Sequence, residues 1–207
     1  MVVTIRKWLK FFSTALLIGA VTTIITSFFV QTDAYTPYLD PFDLWNITGA
    51  LFWFLGWGLV YSVISQMGFF AYLTIHQFGR GFFGFFWKHV QILLILIVLF
   101  DLVYFRYTRA DDPGNIWSYI LVAALLLIYS YAVAKVKAKD SHPRAFLPAL
   151  FFMVVVTSVE WIPALREGSY EWVMLMVVPL LACNTYQVLT LHRIVGFNEG
   201  PSEKEKN

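Results

Sequence analysis

Two acidic residues lie within long uncharged stretches of this sequence, and they are the first candidates for chemistry. Asp101 and Glu160 each interrupt a stretch that is otherwise apolar and long enough to cross a membrane. Ionisable side chains within a bilayer are costly, so they are functional candidates wherever they occur. With three nearby arginines they predict an outer polar site, which comprises Asp101, Arg106, Arg109, Glu160 and Arg166.

This outer polar site has two interpretations. It is either a place where a ligand or a partner helix docks, or a structural ion pair that ties the third and fifth helices together near the interface. Asp101 and Arg106 are five residues apart, so they share an α-helical face poorly. We therefore expect their partners to come from other helices.

A second set of polar side chains is expected nearer the inner face of the membrane. Asn184 and Gln187 are three residues apart and share a helical face. The set forms either hydrogen bonds between helices, each worth ~0.6–2 kcal/mol, or part of a two-state element that contacts a partner. Its members are Gln66, Gln91, Asn184 and Gln187.

The sequence contains no recognisable catalytic or metal-binding pattern. Its four histidines lack the spacing of a paired zinc motif, and the one cysteine, Cys183, allows neither an internal disulfide nor a cysteine-based zinc site. Residues 79–84 match the spacing of a dinucleotide-binding loop but follow no predicted strand. We therefore expect no enzymatic activity, no catalytic residues, no cofactor and no bound metal.

The composition indicates the class of protein to which these residues belong. The chain has 207 residues, of which 59% are hydrophobic and 14% are charged, and its mean hydropathy is +0.66. Soluble domains carry about 25% charged residues. This excludes an ordinary soluble enzyme, a nucleic-acid-binding domain and a disordered regulator. The expected fold class is all-α, a polytopic helix bundle embedded in the lipid bilayer of the cell membrane.

The uncharged intervals predict six transmembrane helices in one domain over residues 1–197. The uncharged interval of residues 44–79 is too long for one transmembrane helix and too short for two such helices joined by a turn. Helix 2 is therefore expected to end near residue 65, and residues 66–87 are interpreted as an interfacial or re-entrant segment. Whether residues 66–87 lie flat, re-enter the membrane or extend helix 2 stays open. Residues 198–207 are expected to form a disordered charged tail. The predicted helices cover residues 11–30, 44–65, 89–106, 116–136, 146–165 and 172–191.

The distribution of basic residues predicts the orientation. With the N-terminus in the cytoplasm, only Arg106, Arg109 and Arg166 of the 15 Lys and Arg residues fall outside, which leaves 12 inside. A seventh span within residues 67–87 would place the basic cluster at 135–144 outside the cell, so it is rejected. Both termini are expected in the cytoplasm.

Four blocks of the sequence point to a family. They are VYSVISQMGFFAYLTIH at residues 60–76, VLFDLVYFR at 98–106, FLPALFFMVVVTSVEWIP at 146–163 and PLLACNTYQ at 179–187. These blocks resemble the KinB-signalling pathway activation proteins of Bacillus-type spore formers, and the resemblance spans Phe11 to Arg193. The family has no established catalytic residues, so the blocks identify the chain without assigning roles.

The resemblance implies a regulatory protein of the cell membrane. It implies that the chain activates signalling by a membrane-spanning sensor histidine kinase, which feeds the phosphorelay that starts sporulation. The short loops and the polar side chains within the bundle suit contact between helices, and whether the kinase is contacted directly stays open. The alternative is a small membrane transporter or ligand-binding protein that supplies or clears the kinase's signal. A third hypothesis is a membrane-embedded enzyme that acts on a lipid or a cell-wall precursor. The signal and the oligomeric state stay open.

The expected topology can be tested with a reporter fused to the C-terminus. With an even number of spans and a cytoplasmic N-terminus, a cytoplasm-active reporter is expected to be active there. A periplasm- or surface-active reporter at the same position is expected to be silent. An extracellular C-terminus would contradict the six-helix topology.

Overall fold

The chain is described by a computed structural model that covers residues 5–39, 41–109, 115–162 and 170–195. These residues are helical almost throughout and contain no named strand, only an isolated bridge between Leu39 and Phe42. The expected all-α fold is confirmed. The expected tail over residues 198–207 lies outside the described residues. The helices are α1 (Ile5–Val30), α2 (Leu44–Phe83), α3 (residues 87–109), α4 (Ile116–Asp140), α5 (residues 146–160) and α6 (Tyr170–Val195).

Helix α2 is much longer than the sequence indicated. It begins after Asp43, whose Oδ1 accepts hydrogen bonds from the backbone N–H groups of Trp45 and Asn46 at 3.1 and 3.2 Å. It continues for 40 residues, which corresponds to about 60 Å. This corrects the expected end near residue 65, because residues 66–83 extend α2 as one continuous helix and do not form a separate segment.

The chain reverses direction between α2 and α3. Gly84 has φ of 50°, a left-handed conformation that favours glycine, and its N–H donates to the Arg80 carbonyl. The ring of Trp87 then packs against Gly79, and its Nε1 donates to His76 Nδ1 at 3.2 Å. Helix α3 therefore runs back along α2, and the two helices form an antiparallel hairpin.

Within the described ranges, five helical stretches are long and apolar enough to cross a membrane: Ile5–Val30, Leu44–Thr108, Ile116–Asp140, Pro143–Glu160 and Tyr170–Ile194. The second stretch contains the hairpin of α2 and α3. Large apolar side chains such as Leu96 and Ile128 are 59% and 66% exposed. Such a surface suits contact with lipid.

Helices α1, α2 and α6 pack closely through small residues. A Cβ atom added to Gly58 of α2 would lie 2.7 Å from both Ala20 Cα and the Gly19 carbonyl oxygen of α1. A Cβ atom added to Gly19 would also lie 3.3 Å from Cys183 Sγ of α6. Small residues allow helix backbones to approach in this way inside membranes.

Buried apolar side chains form two clusters, one toward each end of the bundle. The first cluster includes Phe11, Phe69, Phe152, Val154 and Val188. The second cluster includes Tyr61, Leu126, Trp161, Leu175 and Leu180. Both clusters receive residues from α2, α3, α4 and α6, so they hold the same helices together at two levels.

The connection between α1 and α2 is held against the bundle by Tyr35. Its hydroxyl is hydrogen-bonded to Ser27 Oγ at 2.7 Å, and its ring stacks on Phe28 with centroids 4.7 Å apart. Burial raises the pKa of the Tyr35 hydroxyl, and the hydrogen bond to Ser27 opposes part of that rise. Tyr35 is therefore a neutral hydrogen-bonding group at physiological pH.

Two substitutions in the same helix test the close packing of α1 against α2. Gly58→Ala is expected to lower the thermal unfolding temperature of the purified protein, because overpacking costs ~1–3 kcal/mol. Gly56→Ala is the matched control, since nothing lies within 4 Å of its added Cβ. That control is expected to be neutral or slightly stabilising, because alanine favours helices over glycine. Equal effects of the two substitutions would contradict the close approach at Gly58.

Candidate functional site

A network of hydrogen bonds joins α2, α5 and α6 in the interior of the bundle. Asn184 is its centre, and its Nδ2 donates to Glu160 Oε2 at 2.6 Å and to Thr157 Oγ1 at 3.0 Å. Asn184 Oδ1 accepts from Ser65 Oγ at 2.6 Å. Ser65 Oγ in turn accepts from Gln187 Nε2 at 3.1 Å. We call these five residues the Asn184 network.

The Asn184 network lies between the two apolar clusters. On α2, Ser65 is four residues from Tyr61 of the second cluster and four residues from Phe69 of the first. On α6, Asn184 has the same spacing to a member of each cluster. Asn184 is also 14 residues after Tyr170, where α6 begins, which is about 21 Å along the helix axis. The hydrocarbon core of a bilayer is about 30 Å thick, so the network lies deep within any span that α6 makes.

The network is closed to solvent. Ser65, Thr157, Asn184 and Gln187 are 0% exposed, and Glu160 is 6% exposed. Buried polar groups need hydrogen-bond partners because an unpaired group keeps its full desolvation cost. In the described part of the chain, Glu160 Oε1 and Gln187 Oε1 have no such partner. The two ends of the network are therefore hydrogen-bond acceptors without donors.

A π-helical turn in α5 precedes the two network residues of that helix. It covers Phe152–Val156, and the Thr157 N–H bonds to the Phe152 carbonyl five residues earlier. A π turn adds a residue to the helix and changes the direction of the side chains that follow it. Phe152 and Thr157 are both 0% exposed, so side chains on either side of the turn point into the bundle.

Gly68 of α2 allows the carboxyl group of Glu160 to reach the network. A Cβ atom added to Gly68 would overlap Glu160 Oε1 and would lie 3.1 Å from Val156 Cγ1. The backbone of α2 thus lies directly against the unpaired carboxyl oxygen. Any side chain at this position would displace the Glu160 carboxyl group.

The structure divides the predicted outer polar site. Among the described residues, the hydrogen bond of Glu160 goes to Asn184, so Glu160 lies with the set that was expected nearer the inner face. Asp101 is exposed on α3, and Arg106 is half-buried. Arg166 and the side chain of Arg109 lie outside the described residues.

A second π turn corrects the expectation that Asp101 and Arg106 point in different directions. The turn covers Asp101–Phe105, and the Arg106 N–H bonds to the Asp101 carbonyl. Residues five apart share a face in a π turn. Arg106 consequently interacts electrostatically with Asp101 of its own helix, and also with Tyr119 of α4.

The two remaining predicted residues, Gln66 and Gln91, make contacts outside the Asn184 network. Gln66 Nε2 donates to the Phe12 carbonyl of α1 at 3.4 Å. Gln91 is 1% exposed, and its Nε2 lies 3.4 Å from His76 Nδ1. Gln66 therefore joins α2 to α1, and Gln91 joins the two arms of the hairpin.

Sequence reasoning missed Ser65, Gly68 and Thr157. Serine, threonine and glycine are frequent in membrane helices, so their presence carries little information. One signal was available: Thr157 precedes Glu160 by three residues, the same spacing that places Asn184 and Gln187 on one face.

The described residues offer no obvious place for a metal, since no group of three or more His, Cys, Asp or Glu among them is positioned to hold one. Two open cavities of the described structure lie at the turn between α2 and α3. The larger has a volume of about 460 Å³ and is lined by Gln77, Phe78, Gly81 and Phe82. Gln77 is 12 residues beyond Ser65 on α2, so these cavities are about 18 Å from the network along the helix.

Comparisons with known proteins place the chain in a family. Residues 19–194 match the model of the family described as KinB-signalling pathway activation in sporulation. The chain belongs to this family. It is also 39% identical over 189 residues to the KinB-signaling pathway activation protein of Bacillus subtilis (strain 168), which covers 90% of this chain and 96% of that protein. No solved structure matches the chain. The family expected from the four sequence blocks is confirmed, and the matched range contains the whole Asn184 network.

A double-mutant cycle tests the contact between Gly68 and Glu160. Gly68→Ala is expected to destabilise the protein by ~1–3 kcal/mol through overpacking, measured by thermal unfolding in detergent. In a Glu160→Ala background the same substitution is expected to cost much less, because the overlapping oxygen is gone.

Gly49→Ala is the control for this cycle, since an added Cβ there has nothing within 4 Å. It is expected to behave alike in both backgrounds. Equal costs of Gly68→Ala with and without the Glu160 carboxyl group would show that the two residues are not in contact.

Proposed function

We propose that this protein activates KinB signalling in sporulation. The observation that carries the proposal is the 39% identity to a Bacillus subtilis protein that is named for this activity, over 96% of that protein's length. The family match over residues 19–194 supports the same role. We further propose that the activity is regulatory and not enzymatic.

We propose that the protein acts as a multi-pass component of the cell membrane, with six spans and both termini in the cytoplasm. The five apolar helical stretches support this location. The hairpin between α2 and α3 divides the longest stretch into two antiparallel helices, which is consistent with six crossings. The excess of basic residues on the expected cytoplasmic side supports the orientation.

The proposed partner is a membrane-spanning sensor histidine kinase that feeds the sporulation phosphorelay. We propose that contact occurs between helices at the exposed face of α3. Asp101 is exposed there, beside Ile97, Phe100 and Tyr104, which are 51%, 55% and 49% exposed. A carboxylate on a lipid-facing surface is costly. Arg106 of the same helix offsets part of that cost, and a donor or cation on a partner helix would reduce it further. We call Asp101, Ile97, Phe100 and Tyr104 the Asp101 face.

Activation then requires that the protein binds one signalling state of the kinase more tightly than the other. The Asp101 face makes the contact, while the Asn184 network fixes the helices that support it. Asn184 and Gln187 are fully buried, so we assign them contacts within the chain and not with the kinase.

The transporter or ligand-binding alternative predicts polar side chains along one continuous cavity. Asp101 is instead exposed on α3, and Asn184 is enclosed in hydrogen bonds among α2, α5 and α6. This separation favours the regulatory role.

The role is tested in Bacillus subtilis that lacks its own KinB-signaling pathway activation protein and that depends on KinB to sporulate. Expression of this chain is expected to restore a phosphorelay-dependent sporulation reporter. Unchanged output with normal amounts of the protein in the membrane would contradict the proposed function.

The same assay tests the Asp101 face. Asp101→Asn is expected to reduce reporter output several-fold at an unchanged protein level, because the charge that a partner would recognise is removed. Asp33→Asn is the matched control, since Asp33 is exposed in the connection between α1 and α2. Equal output from the two variants would place the kinase contact elsewhere.

A further inference from the structure

We propose that the Asn184 network is a binding site for a single proton, in which Glu160 is held as a neutral carboxylic acid with its proton on Oε1. This inference rests on the geometry of the network and does not depend on the proposed role in KinB signalling. It concerns Glu160, which is not part of the Asp101 face that is proposed to contact the kinase.

The first observation is the direction of the hydrogen bonds. Gln187 donates to Ser65, Ser65 donates to Asn184, and Asn184 donates to Thr157 and to Glu160 Oε2. Both hydrogens of Asn184 Nδ2 are therefore used. The network ends at Glu160 Oε1, which accepts nothing in the described structure. Without a hydrogen on Oε1, this end of the network would carry the negative charge of a carboxylate.

The second observation is the absence of a positive charge at this level on the helices that form the network. No Lys or Arg occurs in residues 44–79 of α2, in residues 145–165 that contain α5, or in residues 172–192 of α6. Among the described residues, the Cys183 thiol is a titratable group near the carboxyl, and it contacts the Ser62 hydroxyl and the Ala15 carbonyl. On α2, the ring of the buried Tyr72 packs against Phe152 of α5.

Titratable groups on the other helices that pack against α5 and α6 interact with partners other than the Glu160 carboxyl group. On α3, Arg106 interacts with Asp101 and Tyr119. On α4, Tyr129 is hydrogen-bonded to Thr185, and Lys137 Nζ lies 2.9 Å from His192 Nδ1. Helix α1 has no charged residue between Lys10 and Asp33.

The third observation is the space around the unpaired oxygen. Oε1 lies directly against the backbone of Gly68, and Val156 Cγ1 is close to the same point. A metal ion needs several oxygen ligands around it, whereas Gly68 and Val156 present carbon and hydrogen atoms. A proton needs no additional space, so it is the positive charge that this site can accept.

The physical reason is the cost of burying charge. An isolated carboxylate in an apolar interior costs far more than a neutral carboxylic acid, and such groups gain a proton instead. Proton binding therefore becomes a condition for α2, α5 and α6 to pack around Glu160. Loss of the proton would place a charge between the two apolar clusters and would favour their separation.

Infrared spectroscopy of the full-length protein in lipid nanodiscs at pH 7 tests the proposal. Exposed Asp and Glu are ionised at this pH, so a C=O stretching band of a protonated carboxyl group is expected to come from Glu160. Labelling glutamate with ¹³C is expected to shift the band in the wild-type protein. The band is expected to disappear in Glu160→Gln, which keeps an oxygen for Asn184 and supplies its own hydrogens.

Two control variants make the result specific. Asp101→Asn and Arg166→Gln are both expected to leave the band unchanged. The proposal would be overturned if the wild-type protein showed no such band, if the band persisted in Glu160→Gln, or if it appeared only after Arg166→Gln. The last result would mean that Arg166 holds Glu160 as a carboxylate.

Discussion

The hydrogen bond from Asn184 to Glu160 constrains how the central helices of this bundle can pack. Its two residues lie on α6 and α5 at a level where apolar clusters begin on either side. A polar layer in this position has one satisfactory register, because a shift of either helix would leave several buried polar atoms without partners. Apolar packing above and below tolerates more variation than hydrogen bonds do. The polar layer therefore specifies the alignment that the two clusters stabilise.

This layer requires helices that approach closely, and glycine residues provide the approach. Gly19 and Gly58 bring the backbones of α1 and α2 together, and Gly68 lets α2 lie against the Glu160 carboxyl group. None of these glycines breaks its helix, because hydrogen bonds along a helix in an apolar environment have no competition from water. The same property explains why α2 continues through Gly68 and Gly79 to Phe83. Its end comes at Gly84, where φ of 50° takes the chain out of the helix.

The sequence was sufficient for the fold class, the approximate positions of most helices and the family. It predicted that Asp101, Glu160, Asn184 and Gln187 lie within helices, because charge and amide groups stand out in apolar segments. It did not predict which of them meet. Distance along the chain to the helix ends places Glu160 near the outer face and Asn184 near the inner face, so the sequence predicts them apart. The two π turns, Asp101–Phe105 and Phe152–Val156, also have no signature in residue type. They follow from tertiary packing, which a single sequence does not contain.

The two π turns suggest how the interior of the protein and its surface can be coupled. The turn in α5 directly precedes Thr157 and Glu160, and the turn in α3 begins at Asp101. Helix α3 packs against the turn of α5, so a change in one of these helices displaces the other. Single π turns within α-helices are rare and frequently occur at functional sites. A rearrangement around Glu160 would thus reach the exposed face that carries Asp101 through the contact between α5 and α3.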